Sequence, residues 1–549
     1  MIVENLFKKG EIITLESYLK AYGVQDIEKY LHPPTSVLES CWIYDNMQEL
    51  VDELKYAILT DSRICIVGDS DADGVCSAYM IYKTLKLHNK KLNIKIVLPN
   101  GKERGIEPQD VRDEIKRYKA DYVIIPDGGT NSKGYEDDLN GAKVLVIDHH
   151  NPNAKVCEHA LIVNNTMNTK QCNTELSGTG VTFKVCQALD FEFGTKYSNR
   201  FIDLVGFTII SDSMDIRTLE NRWFIDYILN RDNIENPFLN ALFDEFIGDN
   251  EYTQRDISFK IVPKINAVIR CGTKEDRQKL YTAMLGKNIE DTIKMCAEYH
   301  QKQIKIVDDF IKHHKSEIDS FKNDNVVIIQ ADDVPKTFSG LIAGRISGST
   351  NKPTIVGKLI EGELKGSYRG QISSQDLLPL PQVKEVAGHD YACGITLVSS
   401  DLGSFKDEMN KMDISTIKEV TFSFGANNVP TALFTAFRKW DCLWGHALDK
   451  PSFYIYDIKV NKNNLSIMKD KHIRIKANGY EVIIWNCKSR FNEFGIIETD
   501  DGFEPSDKEF ILNVIASADM NVWRNNRTNQ FIVDEFEVNK VTNTFEDLM

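Results

Sequence analysis

The stretch Ile64-Cys65-Ile66-Val67-Gly68-Asp69-Ser70-Asp71-Ala72-Asp73-Gly74 decides how this chain is read. Four β-favouring apolar residues come first and read as a short buried strand. Three carboxylates within five residues follow it. One Asp in such a place is usually a turn residue or a helix N-cap. Three of them, Asp69, Asp71 and Asp73, repel one another unless a cation sits among them. Hard oxygen ligands of this kind suit Mn²⁺ or Mg²⁺. An EF-hand loop also begins Asp-x-Asp-x-Asp-Gly, but it needs a Glu at its twelfth position, where this chain has Met80.

Working outward, the same plan recurs. Tyr122 to Ile125 leads into Pro126-Asp127-Gly128-Gly129, and Val144 to Ile147 leads into Asp148-His149-His150. Ile94 to Leu98 and Leu161 to Val163 read as further strands, Val75 to Leu87 and Val111 to Tyr118 as helices. Strands alternating with helices predict a parallel sheet with helices on its faces. Ligands of such sheets lie at the carboxyl ends of the strands, where all three acidic segments fall. Asp127 alone reads as a turn residue, although its two glycines allow close approach of a ligand. Paired histidines after a buried strand are more specific: His149 can bind metal while Asp148 orients a ring from behind. Asp212 follows the apolar run Leu204 to Ile210, and as a buried charge it needs a partner or a metal.

With 549 residues the chain is too long for one core, and its length suggests about three to five domains. Hydrophobic content of 42% and charged content of 27% are those of a globular protein. No apolar run can span a bilayer and no signal-peptide core is seen, so a cytoplasmic protein without a membrane partner is expected. The 11 cysteines are scattered without a Cys-x-x-Cys pair, which disfavours a disulfide framework and a zinc ribbon. The net charge of −15 argues against a non-specific nucleic-acid coat but not against a nuclease, whose metal ions restore positive potential locally. Lys469 to Lys476 and Lys488 to Arg490 are candidate pieces of a basic groove, or solvated faces.

Residues 1–60 read as an N-terminal helical segment. From 274 to 320 the pattern is that of a long helix joining two domains, or of a coiled-coil partner. A second α/β unit follows, and from 406 short strand-like runs suggest a small barrel. Trp485 lies in such a run and is expected in its core.

At this point the motifs resemble those of the DHH phosphoesterase superfamily, and over nearly the whole chain those of RecJ-type single-strand-specific DNA exonucleases. Gly68 to Gly74, Asp127-Gly128-Gly129, Asp148-His149-His150 and Ser211-Asp212 are similar to the four metal-site motifs. Leu176 to Val181 resembles the family's Gly-rich segment. Pro263-Lys264-Ile265-Asn266-Ala267 with Arg270 resembles its Asn/Arg motif. Gly366-Ser367-Tyr368-Arg369 and Gly388-His389 resemble the motifs of its second domain, DHHA1, and Phe424 to Pro430 and the last strands resemble its OB-fold region. Three positions depart. Ser70 stands where the family has Tyr, Ala387 where it has Gly, and Gly101 where it often has an Arg that grips the 5′-phosphate. The departure leaves that grip either to pass to Lys102 or Arg104 or to be lost.

The resemblance implies a multidomain α/β protein: a helical segment (1–60), a parallel-sheet DHH domain (61–225), a helical region with the Asn/Arg motif and a long connecting helix (226–325), a smaller α/β DHHA1 domain (326–405) and a C-terminal OB-like β-barrel (406–549). It implies two divalent cations, Mn²⁺ or Mg²⁺, held by Asp69, Asp71, Asp73, Asp127, His149 and Asp212, with Asp148 behind them. Arg270, His150 and His389 become catalytic candidates; Asn266, Ser367, Arg369 and Lys102 become substrate-binding ones. The implied activity is 5′→3′ degradation of single-stranded DNA to 5′-mononucleotides in DNA repair and recombination. The implied setting is a monomer in the cytoplasm of a bacterium, or of the host of a virus. A single-strand-binding protein or a helicase is the implied partner. The other readings are a DHH phosphodiesterase of short oligonucleotides or cyclic dinucleotides, and a catalytically inactive replication scaffold.

Overall fold

The computed structural model describes residues 3–7, 13–68, 71–99, 105–132, 139–152, 156–249, 251–389, 391–412, 418–499, 502–523 and 526–540. The chain divides into two compact units, Glu28–Ile414 and Met1–Ile27 with Ser415–Met549. The expected helical segment 1–60 is thus shared between them.

In the first unit, strands β1 (Arg63–Val67), β2 (Asn93–Val97), β3 (Tyr122–Pro126), β4 (Lys143–Asp148) and β5 (Ala160–Asn164) form one sheet. Its order is β2-β1-β3-β4-β5, and every neighbouring pair is parallel. The apolar runs are continuous because both faces are covered. Cys65, Val67, Val123, Ile125 and Val146 pack with Val111 and Ile115 of helix α2 (Gln109–Tyr118). Helices α1 (Ala72–His88) and α3 (Gly178–Phe193) pack together, and each reaches the sheet. The order reverses between β1 and β3, and a crevice opens at the carboxyl ends of strands that flank such a switch point. The Asp71–Asp73 segment leaves β1 there and Asp127 leaves β3.

Helix α3 is anchored by a buried ionic network. Lys184 Nζ lies 2.5 Å from Glu220 Oε1 and donates to the Glu39 carbonyl at 2.7 Å. Glu220 Oε1 also accepts from the Glu39 N–H, and its Oε2 from Asn173 Nδ2. Breaking such a pair leaves a buried charge unmatched. Lys184→Met is therefore expected to destabilise the protein by roughly 3–5 kcal/mol, read from denaturant melts.

Helix α4 (Ile202–Ser211) contains the apolar run before Asp212, and helix α5 (Val262–Cys271) carries Asn266 and Arg270. The expected long helix is α6 (Ile289–His313), 25 residues, preceded by a separate helix Lys274–Met284. The break falls where Gly286 (φ +84°) and Asn288 (φ +54°) take left-handed conformations. A second sheet follows: β6 (Val327–Gln330), β7 (Thr354–Ile360), β8 (Glu363–Arg369), β9 (Val383–His389) and β10 (Ala392–Val398). Its order is β9-β10-β8-β7-β6; only β6 and β7 are parallel. Helix α7 (Ser339–Thr350) packs on β7 and β8. Helix α8 (Leu402–Lys411) places Phe405 and Met409 in the core of this fold, carrying it past residue 405.

The second unit holds one seven-stranded mixed sheet: β11 (Phe422–Gly425), β12 (Ser452–Val460), β13 (Leu465–Met468), β14 (His472–Ala477), β15 (Tyr480–Ile484), β16 (Phe510–Trp523) and β17 (Asn526–Lys540). The order is β11-β12-β16-β17-β15-β14-β13, and among the described residues the two end strands do not pair to close a barrel. Phe434, Phe453, Val482, Leu512 and Phe531 lie in its core. Strand Val3–Asn5 pairs in parallel with Lys418–Val420. Trp485 corrects an expectation: it is 50% exposed, its ring edge-on to His472 with centroids 4.7 Å apart, because it lies just past the end of β15. Arg490 is engaged locally, paired with Glu493 at 2.6 Å and stacked on Phe536. The side chain of Trp523 lies outside the described residues.

Candidate metal centre

His149 is the hub of the crevice. Its Nε2 lies 3.3 Å from Asp127 Oδ1, 3.4 Å from Asp212 Oδ2 and 4.0 Å from Asp73 Oδ2. Two overlapping groups of potential ligand atoms share it: Asp127, His149 and His150, and Asp73, His149 and Asp212. Burial, the largest cause, pulls the His149 imidazole below its ordinary value, against the pull of the Asp73 carboxylate. That direction favours the neutral ring, whose lone pair is the form that ligates metal.

Each ligand candidate is placed by local structure. Asp71 is the N-cap of α1, its Oδ1 accepting from the Gly74 N–H at 2.9 Å. Asp73 lies in the first turn of α1 but is held by the N-terminus of α3. Its Oδ2 accepts from the Gly178 N–H at 2.7 Å and its Oδ1 from the Thr179 N–H at 2.9 Å. A carboxylate suits that positive helix end, and its further lone pairs remain for a cation. Asp127 is 1% exposed and sits at φ +61°, a strained value for a residue with a Cβ. Gly178 makes its position possible: a Cβ there would lie 2.3 Å from Asp127 Oδ1 and 2.5 Å from its Cβ. Asp212 is the C-cap of α4 and its side chain is 33% exposed, so it is not the buried charge expected from the preceding run. The run is the inward helix; the residue after it emerges into the crevice.

Asp148 is buried behind the histidines. Its Oδ1 accepts from His150 Nδ1 at 2.8 Å and from the His149 N–H at 2.7 Å, and its Oδ2 from the Thr130 N–H at 3.0 Å. Burial pushes this carboxyl up, but the His150 bond and charge and the Thr130 bond outweigh it and hold it well below the usual range. With Nδ1 donating to Asp148, the His150 ring has Nε2 to turn toward the centre. His150, expected only as a catalytic donor, is thereby also close enough to ligate.

The cationic side comes from α5 and the second sheet. Arg270 Nη1 lies 3.5 Å from Gln303 Oε1 of α6. Burial pulls the Arg270 guanidinium below its ordinary value, Asp71 opposes this and the charge on Arg369 adds to it. Arg369 donates Nη1 to the Tyr368 carbonyl, and its Nη2 lies 2.8 Å from where a Gly340 Cβ would be, at the first turn of α7. Ser367 Oγ is 3.5 Å from that same point. By strand register His389 pairs with Ala392, which pairs with Arg369. Asn266 is one helical turn before Arg270 on the same face of α5. Asp69 and Lys102 lie outside the described residues, as do Gly101, Arg104 and the His389 side chain.

Gly178 and Thr179 were noted only as part of a Gly-rich segment and not as the cradle of Asp73, and Asn164, whose amide bonds Thr130 Oγ1 and the His150 carbonyl, was not singled out. The glycine pair Gly178-Thr179-Gly180 opening a helix was the available signal for the first two. Asn164 had only its place at a strand end.

Comparison with known proteins bears out the likeness. Residues 63–209 match the family model "DHH family, N-terminal domain". A Bacillus subtilis protein named an SPbeta prophage-derived single-strand DNA-specific exonuclease, YorK, a name given provisionally, is 27% identical over 95% of this chain and 96% of its own length. The single-stranded-DNA-specific exonuclease RecJ of Bacillus subtilis is 25% identical over 72% of this chain and 51% of its own length. The crystal structure of RecJ with Mn²⁺ from Thermus thermophilus superposes with a TM-score of 0.70 at 18% identity, covering 93% of this chain and 74% of the other. That match extends the shared fold across both units. No helix among the described residues is long and apolar enough to cross a membrane.

Proposed function

We propose that this protein is a metal-dependent exonuclease that degrades single-stranded DNA from the 5′ end to 5′-mononucleotides. The observation that carries the reading is the convergence of Asp127, Asp212 and Asp73 on His149 Nε2 at 3.3, 3.4 and 4.0 Å. Carboxylate oxygens with one neutral imidazole fit Mn²⁺ or Mg²⁺. Asp73, Asp127, His149 and Asp212 would hold the ions, with Asp71 and His150 beside them, and Asp69 is kept as a ligand on the resemblance of its motif alone. When bound, two such ions make water acidic enough to supply a nucleophile near neutral pH and neutralise charge on the phosphodiester.

The chain's own groups do the rest. Asp148 fixes the tautomer of His150, which with Arg270 faces the negative charge that grows on phosphate oxygens. Arg369 presents a planar fork to a phosphate, with Ser367 on the same strand and Asn266 on α5, and His389 is kept as a catalytic candidate on the resemblance of its motif alone. Both walls belong to one compact unit, so a strand entering between α5 and β8 meets the ligands and the cations together. Trp485 supports an OB-like, strand-binding role for the second unit. An exposed indole near Lys469 and Lys471 can stack on a base of any identity. Trp485→Ala is expected to weaken binding of single-stranded DNA by about 1–3 kcal/mol without shifting the thermal midpoint. A role in repair and recombination, a monomeric state and a partner such as a single-strand-binding protein or helicase belong to the same reading.

The test uses purified protein, Mn²⁺ and single strands labelled at either end. The expected result is early release of the 5′ label and no attack on duplex. Release of the 3′ label first reverses the polarity. Activity confined to dinucleotides or cyclic dinucleotides favours a small-substrate phosphodiesterase, and none at all favours a scaffold.

A further inference from the structure

The two turns that carry the ligands are tied together by a buried polar staple centred on Asn164 and Thr130, neither of which is a ligand candidate. Asn164 ends β5 and is 5% exposed; in the parallel register it lies beside Asp148. Its Nδ2 donates to Thr130 Oγ1 at 3.0 Å and to the His150 carbonyl at 2.9 Å. Its Oδ1 accepts from the Thr166 N–H and from Thr166 Oγ1, each at 2.8 Å. A backbone N–H is an obligate donor, so the atom facing Thr166 N is the amide oxygen and the orientation of the amide is settled. Thr166 Oγ1 lies 3.2 Å from the His150 carbonyl. Thr130 in turn donates its N–H to Asp148 Oδ2 at 3.0 Å, and its carbonyl accepts from the Cys157 N–H at 2.8 Å. Both donors and both lone pairs of the Asn164 amide are used, and Thr130 is fully buried.

We infer that Asn164 and Thr130 are positioning residues that clamp the Asp127 turn to the Asp148–His150 turn and so set the distance between the metal ligands they carry. The inference rests on the two-metal reading above. Asp127 lies three residues before Thr130, and its left-handed backbone is a strained state that holds only while its surroundings over-determine it. On the other turn, Asp148 gathers His149 and His150 through their N–H groups and Thr130 through its own. Without the staple, the Thr130 N–H bond to Asp148 Oδ2 and the Asp127 N–H bond to the Ile147 carbonyl still join the turns, but the side-chain clamp that sets their spacing is lost. Ligand atoms a few tenths of an ångström out of place bind a divalent ion less tightly, and outer partners of ligands typically contribute about 10–100-fold in metal affinity.

Three substitutions separate positioning from general stability. Asn164→Asp is isosteric and still accepts from Thr166, but it cannot donate to Thr130 or to the His150 carbonyl. Thr130→Val keeps shape and the backbone N–H while removing the hydroxyl. Thr130→Ser restores the hydroxyl. Mn²⁺ binding is read directly, from the electron paramagnetic resonance signal of free Mn²⁺, together with thermal melts in EDTA. The expected result is a Mn²⁺ dissociation constant raised about 10-fold or more in Asn164→Asp and Thr130→Val. Thr130→Ser should recover most of the affinity, and the DNA KM at saturating Mn²⁺ should be unchanged. Wild-type Mn²⁺ affinity in both folded variants would overturn the inference while leaving the two-metal reading intact. Absence of Mn²⁺ binding by the wild-type protein would overturn that reading and the inference with it.

Discussion

Asp127→Asn is expected to lower Mn²⁺-dependent nuclease activity by about 100- to 1,000-fold, the scale on which charge stabilisation by one group acts at a buried site. The amide keeps the shape that Gly178 accommodates and removes the charge. Asp127 Oδ1 stands 3.3 Å from His149 Nε2, and no other described carboxylate comes closer to that nitrogen. The same substitution is expected to raise stability in EDTA, because Asp71, Asp73 and Asp212 then repel one carboxylate fewer. With Mn²⁺ the order should reverse, since a ligand at a hundred times its dissociation constant stabilises the protein that binds it by about 2.7 kcal/mol. Melts of both proteins with EDTA and with Mn²⁺ check this crossing. A variant that stays active, or that loses stability equally in both conditions, would show Asp127 to be a turn residue.

The second large effect is expected of Gly178→Ala. The added methyl would sit 2.3 Å from Asp127 Oδ1 and 2.7 Å from its Cγ, distances no real Cβ tolerates. Either the Asp127 side chain or the first turn of α3 must move. Asp73 moves with the second choice, because the Gly178 and Thr179 N–H groups hold both of its oxygens. A displacement of about 1 Å in a positioned group lowers rate by roughly a hundredfold, so one methyl group on a residue that touches no substrate should lower kcat and Mn²⁺ affinity together. The Lys184–Glu220 network holds the body of α3, so the variant should still fold and its circular dichroism should match the parent. Retention of full activity would mean that the helix end is not tied to the ligand set.

Much of this was legible in the chain. The runs at Ile64, Ile94, Tyr122, Val144 and Leu161 are the five parallel strands, and their continuous apolar character follows from burial on both faces. Asp71, Asp73, Asp127, His149 and Asp212 were visible because charged residues directly after buried strands, or after an apolar helix, need a reason to be there. Trp485 was misjudged because a strand-like run does not say where the strand stops; one residue beyond β15, alternation no longer buries the side chain. Only the burial expected of Asp212 differs, for a related reason, since the run before it buries a helix rather than the residue that caps it. The last strands were expected to close into a barrel, but closure depends on pairings between distant segments, and the sheet is seen with both ends unpaired among the described residues.

By itself the sequence determined which residue types stand at the strand ends and that several carboxylates are crowded there, because hydrophobic periodicity and charge are local properties. Only the tertiary structure decided how those groups are held. The grip of α3 on Asp73 spans 105 positions of sequence, the close approach of Gly178 to Asp127 is a matter of volume, and the Asn164 staple joins three segments through one amide. Each is a long-range contact set by steric exclusion and by the need to satisfy buried polar groups, and neither condition is written in any single stretch of the chain.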